Sequence, residues 1–159
     1  PYTTLFRSAA VPASSSFAAE NSRETPPAAS RRSGAGRILI AIYLVLALAA
    51  TGRSFYQLVA KFDQAPLAYS LSALAAVVYV VATIALIAPG AVWFRIAQIT
   101  IGFELAGVLI VGALSLLVPS LFAHPTVWSY FGMGYLFIPL VMPIIGLRWL
   151  RKHPEKNPA

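Results

Sequence analysis

The sequence predicts an all-α fold, an integral membrane four-helix bundle with a disordered N-terminal tail, and three observations support this prediction. Hydrophobic residues make up 58% of the 159 residues and charged residues only 11%, whereas soluble domains carry about 25% charged residues. The apolar residues form four runs, each long enough to cross a hydrocarbon core ~30 Å thick, which takes about 20 residues. The basic residues flank these runs, as expected for a protein inserted in a bilayer.

The first 36 residues differ in composition from the rest. They are rich in Ala, Ser, Pro and Arg without sustained periodicity, which predicts a disordered tail. Residues 1–8 (PYTTLFRS) resemble the translation of a common sequencing-adapter read. The resemblance implies an artefact fused to a truncated gene, so we expect the natural N-terminus to differ. No apolar run precedes Arg37, so a signal peptide is not expected.

The first two helices are predicted over residues 38–60 and 66–87. Basic residues ending at Arg37 precede the first. Pro66 suits the first turn of the second helix, where the missing N–H costs nothing. A proline and a glycine at 89–90 then predict a tight turn.

The third helix is predicted over residues 92–118 and ends at Pro119. The fourth is predicted over 127–150, with Thr126 as its N-cap. Short connections make neighbouring helices antiparallel. The transmembrane domain is therefore assigned to residues 37–151, followed by a short basic tail over 152–159.

The basic residues predict the orientation of the helices. With the N-terminus inside, eight Lys or Arg residues flank the inner side and two the outer side, a positive-inside bias. This predicts a multi-pass plasma-membrane protein with both termini cytoplasmic and with anionic lipid headgroups as partners at the cytoplasmic face. The positive charges form no continuous basic face, so no nucleic-acid partner is expected. Aromatic residues expected at the interfaces are Trp93 and Trp149 inside, and Tyr69, Trp128 and Tyr130 outside.

Glu104 lies inside the third apolar run and is the main candidate for a functional residue, because a carboxyl group within a bilayer is costly. A rise of ~1.5 Å per residue places it ~12 Å from the inner boundary. The same count places Tyr79 and Pro139 at that level. Pro139 would free the carbonyl of Tyr135 from its helical donor. We therefore expect a neutral acid facing the bundle interior and donating to the Tyr79 hydroxyl or the Tyr135 carbonyl.

Three interpretations of Glu104 stay open at this point: a packing residue, a proton or cation site, and a docking contact to another subunit. Arg53 lies ~10 Å further outward than Glu104. It would either extend to the outer headgroups or pair with Glu104 at full stretch. The candidate intramembrane polar site therefore comprises Glu104, Arg53, Tyr79 and Tyr135.

Small residues recur on the third helix, where Gly102 and Ala106 are four positions apart and Gly107 and Gly112 follow. Such spacing lets helix backbones approach closely. This face is therefore the candidate surface for a homodimer or for a membrane-protein partner.

The residues favour a non-enzymatic protein. There is no cysteine, and no Ser-His-Asp set, pair of carboxylates or phosphate-binding glycine loop can be assembled. His124 has no second ligand nearby, so neither a metal nor a cofactor is expected. The predicted role is an accessory or interaction subunit, and the alternative is a small transporter or channel-like protein that uses Glu104.

Two stretches resemble a known group of proteins. Residues 47–54 (ALAATGRS), continued by 62–69 (FDQAPLAY), and residues 126–135 (TVWSYFGMGY) are similar to small four-span integral membrane proteins of actinobacteria. The resemblance covers residues 37–151. It implies four helices and a plasma-membrane location, and it supplies no catalytic residues.

Overall fold

The computed structural model describes residues 34–154, and this range is entirely helical or irregular, without strands. The all-α prediction is confirmed. The predictions for residues 1–33, including the artefact at 1–8, and those for 155–159 lie outside the described residues. Residues 34–36, which the sequence assigns to the tail, belong instead to the first helix, because it begins at Gly34.

Four α-helices make up the described chain: α1 (Gly34–Ala60), α2 (Pro66–Ile87), α3 (Ala91–Leu117) and α4 (Ile138–Lys152). Within residues 34–154, the first three are long and apolar enough to cross a membrane. A fourth span results only if α4 is joined to the 3₁₀ stretch Ser129–Tyr135, and the two are bent by 98°. These helices define a multi-pass membrane protein.

The helix ends follow from local chemistry. Pro66 occupies the first turn of α2, where a missing N–H is tolerated. The turn between α2 and α3 contains Gly90 with a φ of +109°, a conformation that side chains with a Cβ rarely adopt. We call the end of the bundle where α1 and α3 begin and α2 and α4 end the basic end, since it holds Arg37, Arg95, Arg148, Arg151 and Lys152.

Helices α1 and α2 make the most extensive contact in the bundle. Small side chains bring their backbones together, as in many membrane helix pairs. Helix α4 packs on α3 and contacts α1 only slightly. The buried small residues on the first pair include Ala47, Ala50 and Ser54 on α1, and Ala68, Ser72 and Ala75 on α2.

The prediction of one continuous helix over 127–150 is wrong. The chain forms a 3₁₀ stretch (Ser129–Tyr135), and α4 begins only at Ile138. Pro139 thereby falls in the first turn of α4, where it displaces no helical hydrogen bond. The Tyr135 carbonyl is consequently not freed by a proline within a helix. Positive φ values break the helical path at Tyr130, Phe131, Gly132, Leu136 and Phe137.

The connecting segment (residues 118–137) is held by its own hydrogen bonds and by the bundle. The Thr126 hydroxyl accepts from the backbone N–H groups of Trp128 and Ser129, at 3.1 and 3.0 Å. The Thr126 N–H donates to the Ser129 hydroxyl at 2.9 Å. Irregular backbone at membrane depth requires such partners, because lipid offers none.

Candidate functional site

Glu104 lies at the centre of α3 and has no exposed surface. Its neighbours Ile101 and Val108, three and four residues away, are also fully buried. Residues at this spacing share one face of an α-helix. Glu104 therefore points into the bundle rather than toward lipid.

Tyr43 on α1 is the hydrogen-bond partner of Glu104. Its hydroxyl donates to Glu104 Oε2 at 2.7 Å, a typical length for a bond between two oxygens. Tyr43 is itself fully buried. This contact joins α1 to α3 across the bundle.

Tyr79 on α2 lies beside the same carboxyl group and is also fully buried. Its ring meets the Tyr43 ring edge to face, with centroids 6.3 Å apart. The Tyr79 hydroxyl lies close to the Glu104 carboxyl group. Glu104 Oε1 nevertheless has no partner at hydrogen-bond geometry among the described residues. The site thus holds a carboxyl group in which one oxygen accepts a hydrogen bond from the described residues and the other does not.

Trp128 completes the group from the connecting segment. Its Nε1–H donates to the Tyr79 hydroxyl at 3.1 Å, and its side chain is 2% exposed. The ring lies over Gly107, where an added Cβ would be 2.7 Å from it, and meets Phe103 edge to face. The prediction that Trp128 sits at the outer interface is therefore wrong, because the missing side chain of Gly107 gives the indole room inside. We call Tyr43, Tyr79, Glu104 and Trp128 the polar cluster.

The other two predicted site residues, Arg53 and Tyr135, are not part of the polar cluster. Arg53 donates from Nη2 to the Pro125 carbonyl at 2.7 Å, which ties α1 to the connecting segment. The described structure thus pairs Arg53 with backbone rather than with Glu104. Tyr135 is partly buried against the core and is close enough to Tyr79 for an electrostatic interaction. The structure therefore brings Glu104 and Tyr79 together and leaves Arg53 outside.

Sequence reasoning missed Tyr43, although a signal for it existed. Tyr43 lies five residues beyond Ile38, and Glu104 lies eight residues beyond Ile96. Since α1 and α3 run in the same direction, the difference in depth is only ~5 Å. A tyrosine side chain spans that distance, so the depth count applied to Tyr79 could also have found Tyr43.

The small residues of α3 have two different surroundings. Added Cβ atoms at Gly107 and Gly112 would meet Trp128 and Phe131 at 2.7 and 2.5 Å, so these two glycines face the connecting segment. An added Cβ at Gly102 would meet nothing within 4 Å, and Ala106 is exposed. Of the four small residues predicted to form the partner surface, only Gly102 and Ala106 therefore remain open to a partner.

The side chains of the polar cluster can form hydrogen bonds, and the Glu104 carboxyl group can hold or release a proton. Within residues 34–154, no three His, Cys, Asp or Glu side chains come together to hold a metal ion. No protein-family model, curated protein or solved structure matches the chain. Fold and site together define a class, a helical membrane protein with an enclosed polar cluster.

Proposed function

We propose that this protein is a non-enzymatic accessory or interaction subunit of the plasma membrane. The observation that carries the proposal is the enclosure of Glu104. Glu104, Tyr43 and Tyr79 all have no exposed surface, so water does not reach the carboxyl group in this conformation. A transport site requires a hydrated path to its polar groups. An enclosed carboxyl group suits a structural role instead.

In this role the polar cluster fixes the arrangement of the helices. The Tyr43–Glu104 bond links α1 to α3, and the Trp128–Tyr79 bond links the connecting segment to α2. Hydrogen bonds between membrane helices contribute about 0.6 kcal/mol on average. A rigid bundle presents the open Gly102 and Ala106 surface in one fixed geometry. This surface is where we place contact with a partner or a second copy.

The proposed orientation has both termini in the cytoplasm. Arg37 and Lys152 lie at the same end of the bundle as Arg95. The opposite end carries Lys61 in the turn between α1 and α2. An excess of basic residues marks the cytoplasmic side.

Cysteine labelling tests this orientation, and the chain has no native cysteine to interfere. In intact cells, Ala123→Cys should react with an impermeant thiol reagent, because Ala123 is exposed at the end opposite to the basic end. Pro154→Cys should stay unlabelled until the membrane is permeabilised. Labelling of Pro154→Cys in intact cells, with Ala123→Cys protected, would reverse the orientation.

A second candidate function is a small transporter or channel-like protein. Two observations favour it: the unpartnered Glu104 Oε1 and the broken fourth span. Broken helices at mid-membrane mark the substrate sites of many transporters. In this alternative, the connecting segment would have to move Trp128 away before the carboxyl group could meet water.

Substitutions at Glu104 distinguish the two functions. Glu104→Gln keeps an acceptor for Tyr43 and should change the free energy of unfolding by less than ~1 kcal/mol. Glu104→Leu leaves the buried Tyr43 hydroxyl without an acceptor and should cost about 1–3 kcal/mol. Unfolding by detergent titration measures both. A Leu variant more stable than wild type would contradict a structural role for the Tyr43 bond.

A transport assay with the same Glu104→Gln variant tests the second candidate function. For an accessory subunit, proteoliposomes with wild-type protein and with Glu104→Gln should show the same background leak of protons and cations. A pH-dependent flux with wild-type protein that disappears in the folded Gln variant would establish the second function instead.

A further inference from the structure

A groove lies between α1 and α4, where these two helices separate. It has a volume of about 290 Å³, close to the lower end of the ~300–1,000 Å³ typical of ligand pockets. Because the wall is apolar and opens sideways from the bundle, it suits a hydrocarbon chain. The lining residues are Ile38, Ala41, Ile42, Val45 and Leu46 of α1, and Ile138 of α4.

A side-chain contact at Gly146 gives the approximate relative depth of α1 and α4. A Cβ added to Gly146 would lie 3.6 Å from Leu39 Cδ1, so these two residues are at the same depth. Arg37 precedes Leu39 by two residues, and Arg148 follows Gly146 by two. Both arginines therefore lie at the same depth, just beyond the basic end of the groove.

Helical periodicity places basic side chains in line with the groove. Arg37 precedes the lining residue Ala41 by four positions, so it lies about 40° around α1 from Ala41, at that edge of the groove. On α4, Lys152 follows the lining residue Ile138 by fourteen positions, close to four turns of 3.6 residues. Lys152 thus lies on the groove side of α4.

These basic side chains have no acidic neighbours in the described chain. Arg37, Arg148 and Lys152 are exposed. The carboxyl side chains of residues 34–154 are Asp63, in the turn at the opposite end, and Glu104, inside the bundle. The charge at the basic end of the groove is therefore uncompensated within this part of the chain.

We propose that the groove binds one anionic glycerophospholipid. One acyl chain occupies the apolar groove, and the phosphate lies between Arg37 and Lys152, with Arg148 beside it. Basic residues near a membrane surface favour anionic headgroups. A free phosphate would leave the groove empty, whereas an anionic lipid fills the groove and also places its negative phosphate beside the basic residues. The site is independent of the role of Glu104.

Native mass spectrometry of the full chain tests the site. The protein is released from nanodiscs made of equal parts phosphatidylglycerol and phosphatidylcholine, and the retained lipid is counted. Wild-type protein should retain one phosphatidylglycerol in preference to phosphatidylcholine. Arg37→Gln with Lys152→Gln should reduce that preference about fivefold for each charge removed. Arg95→Gln, at the same end but on α3, should leave it unchanged.

The acyl chain is tested separately from the headgroup. Ala41→Phe fills the groove and keeps every charge, so it should abolish retention of the lipid. Ala49→Phe makes the same change on an exposed part of α1 outside the groove and should have no effect. If Ala41→Phe misfolds, Arg37→Gln with Lys152→Gln still tests the site, because these two variants change only exposed side chains.

Three outcomes would overturn the proposal. Equal retention of both lipids by wild-type protein would remove the anionic site. An equal loss with Arg95→Gln would show that the preference reflects the total surface charge. Unchanged retention in folded Ala41→Phe would show that the groove holds no acyl chain.

Discussion

Trp128→Ala is expected to lower the free energy of unfolding by about 3 kcal/mol, near the lower end of the range for aromatic-to-alanine changes in protein cores. The indole is almost fully buried and fills the space over Gly107. Its removal leaves a cavity and deprives the Tyr79 hydroxyl of its donor. Part of the usual cost is the free energy of transferring apolar surface to water. This contribution is smaller in a membrane protein, so the expected value is near the lower end of the range. Detergent-titration unfolding measures the change.

Two controls separate the causes. Trp128→Phe keeps an aromatic ring and removes only the Nε1 donor, so it should cost about 1 kcal/mol. Trp93→Ala removes an exposed tryptophan from the start of α3 and should stay within ~0.5 kcal/mol of wild type. If Trp128→Ala were as mild as Trp93→Ala, the connecting segment would not be anchored by its indole.

Gly112→Ala should destabilise the protein by about 1–3 kcal/mol, the usual cost of overpacking. The added Cβ would lie 2.5 Å from Phe131 Cδ1 and 2.8 Å from the Phe131 backbone nitrogen. A ring can rotate away, but the backbone at Phe131 is already held at a φ of +59°. The connecting segment would therefore have to move off α3.

Gly102→Ala is the matched control on the same helix. Its Cβ would meet nothing within 4 Å, so the higher helix propensity of alanine should stabilise the protein by up to ~1 kcal/mol. The same substitution thus has opposite signs at two positions ten residues apart. A gain in stability at both glycines would show that α3 and the connecting segment are not in close contact.

The fold was predictable as far as composition and helix-breaking residues determine it. Apolar runs separated by Pro66, Pro89 and Pro119 predict α1, α2 and α3 with ends close to those observed. The fourth run contains no comparable break between Thr126 and Pro139. Its backbone turns left-handed at bulky residues such as Tyr130, a cost that packing must offset. Local sequence does not reveal such packing, and it was therefore missed.

The sequence predicted how far along each helix the site residues lie, but not which way they face around the bundle. Counting residues from the helix ends placed Glu104 and Tyr79 at one depth, and the structure brings them together. Such a count gives depth but no direction around the bundle, so it could not choose Tyr43 as the partner of Glu104. Trp128 reaches the cluster through an irregular segment, where neither helical rise nor helical periodicity applies.

The broken fourth span predicts an order of assembly for this protein. Helix α4 has 15 residues, or ~22 Å of helix, which falls short of a hydrocarbon core ~30 Å thick. The remaining distance is covered by backbone that lipid cannot solvate. Helices α1, α2 and α3 satisfy their own backbone groups and can enter the bilayer one by one. We therefore expect the fourth segment to complete its crossing only against their assembled surface, and to be the last part of the protein to settle during biogenesis.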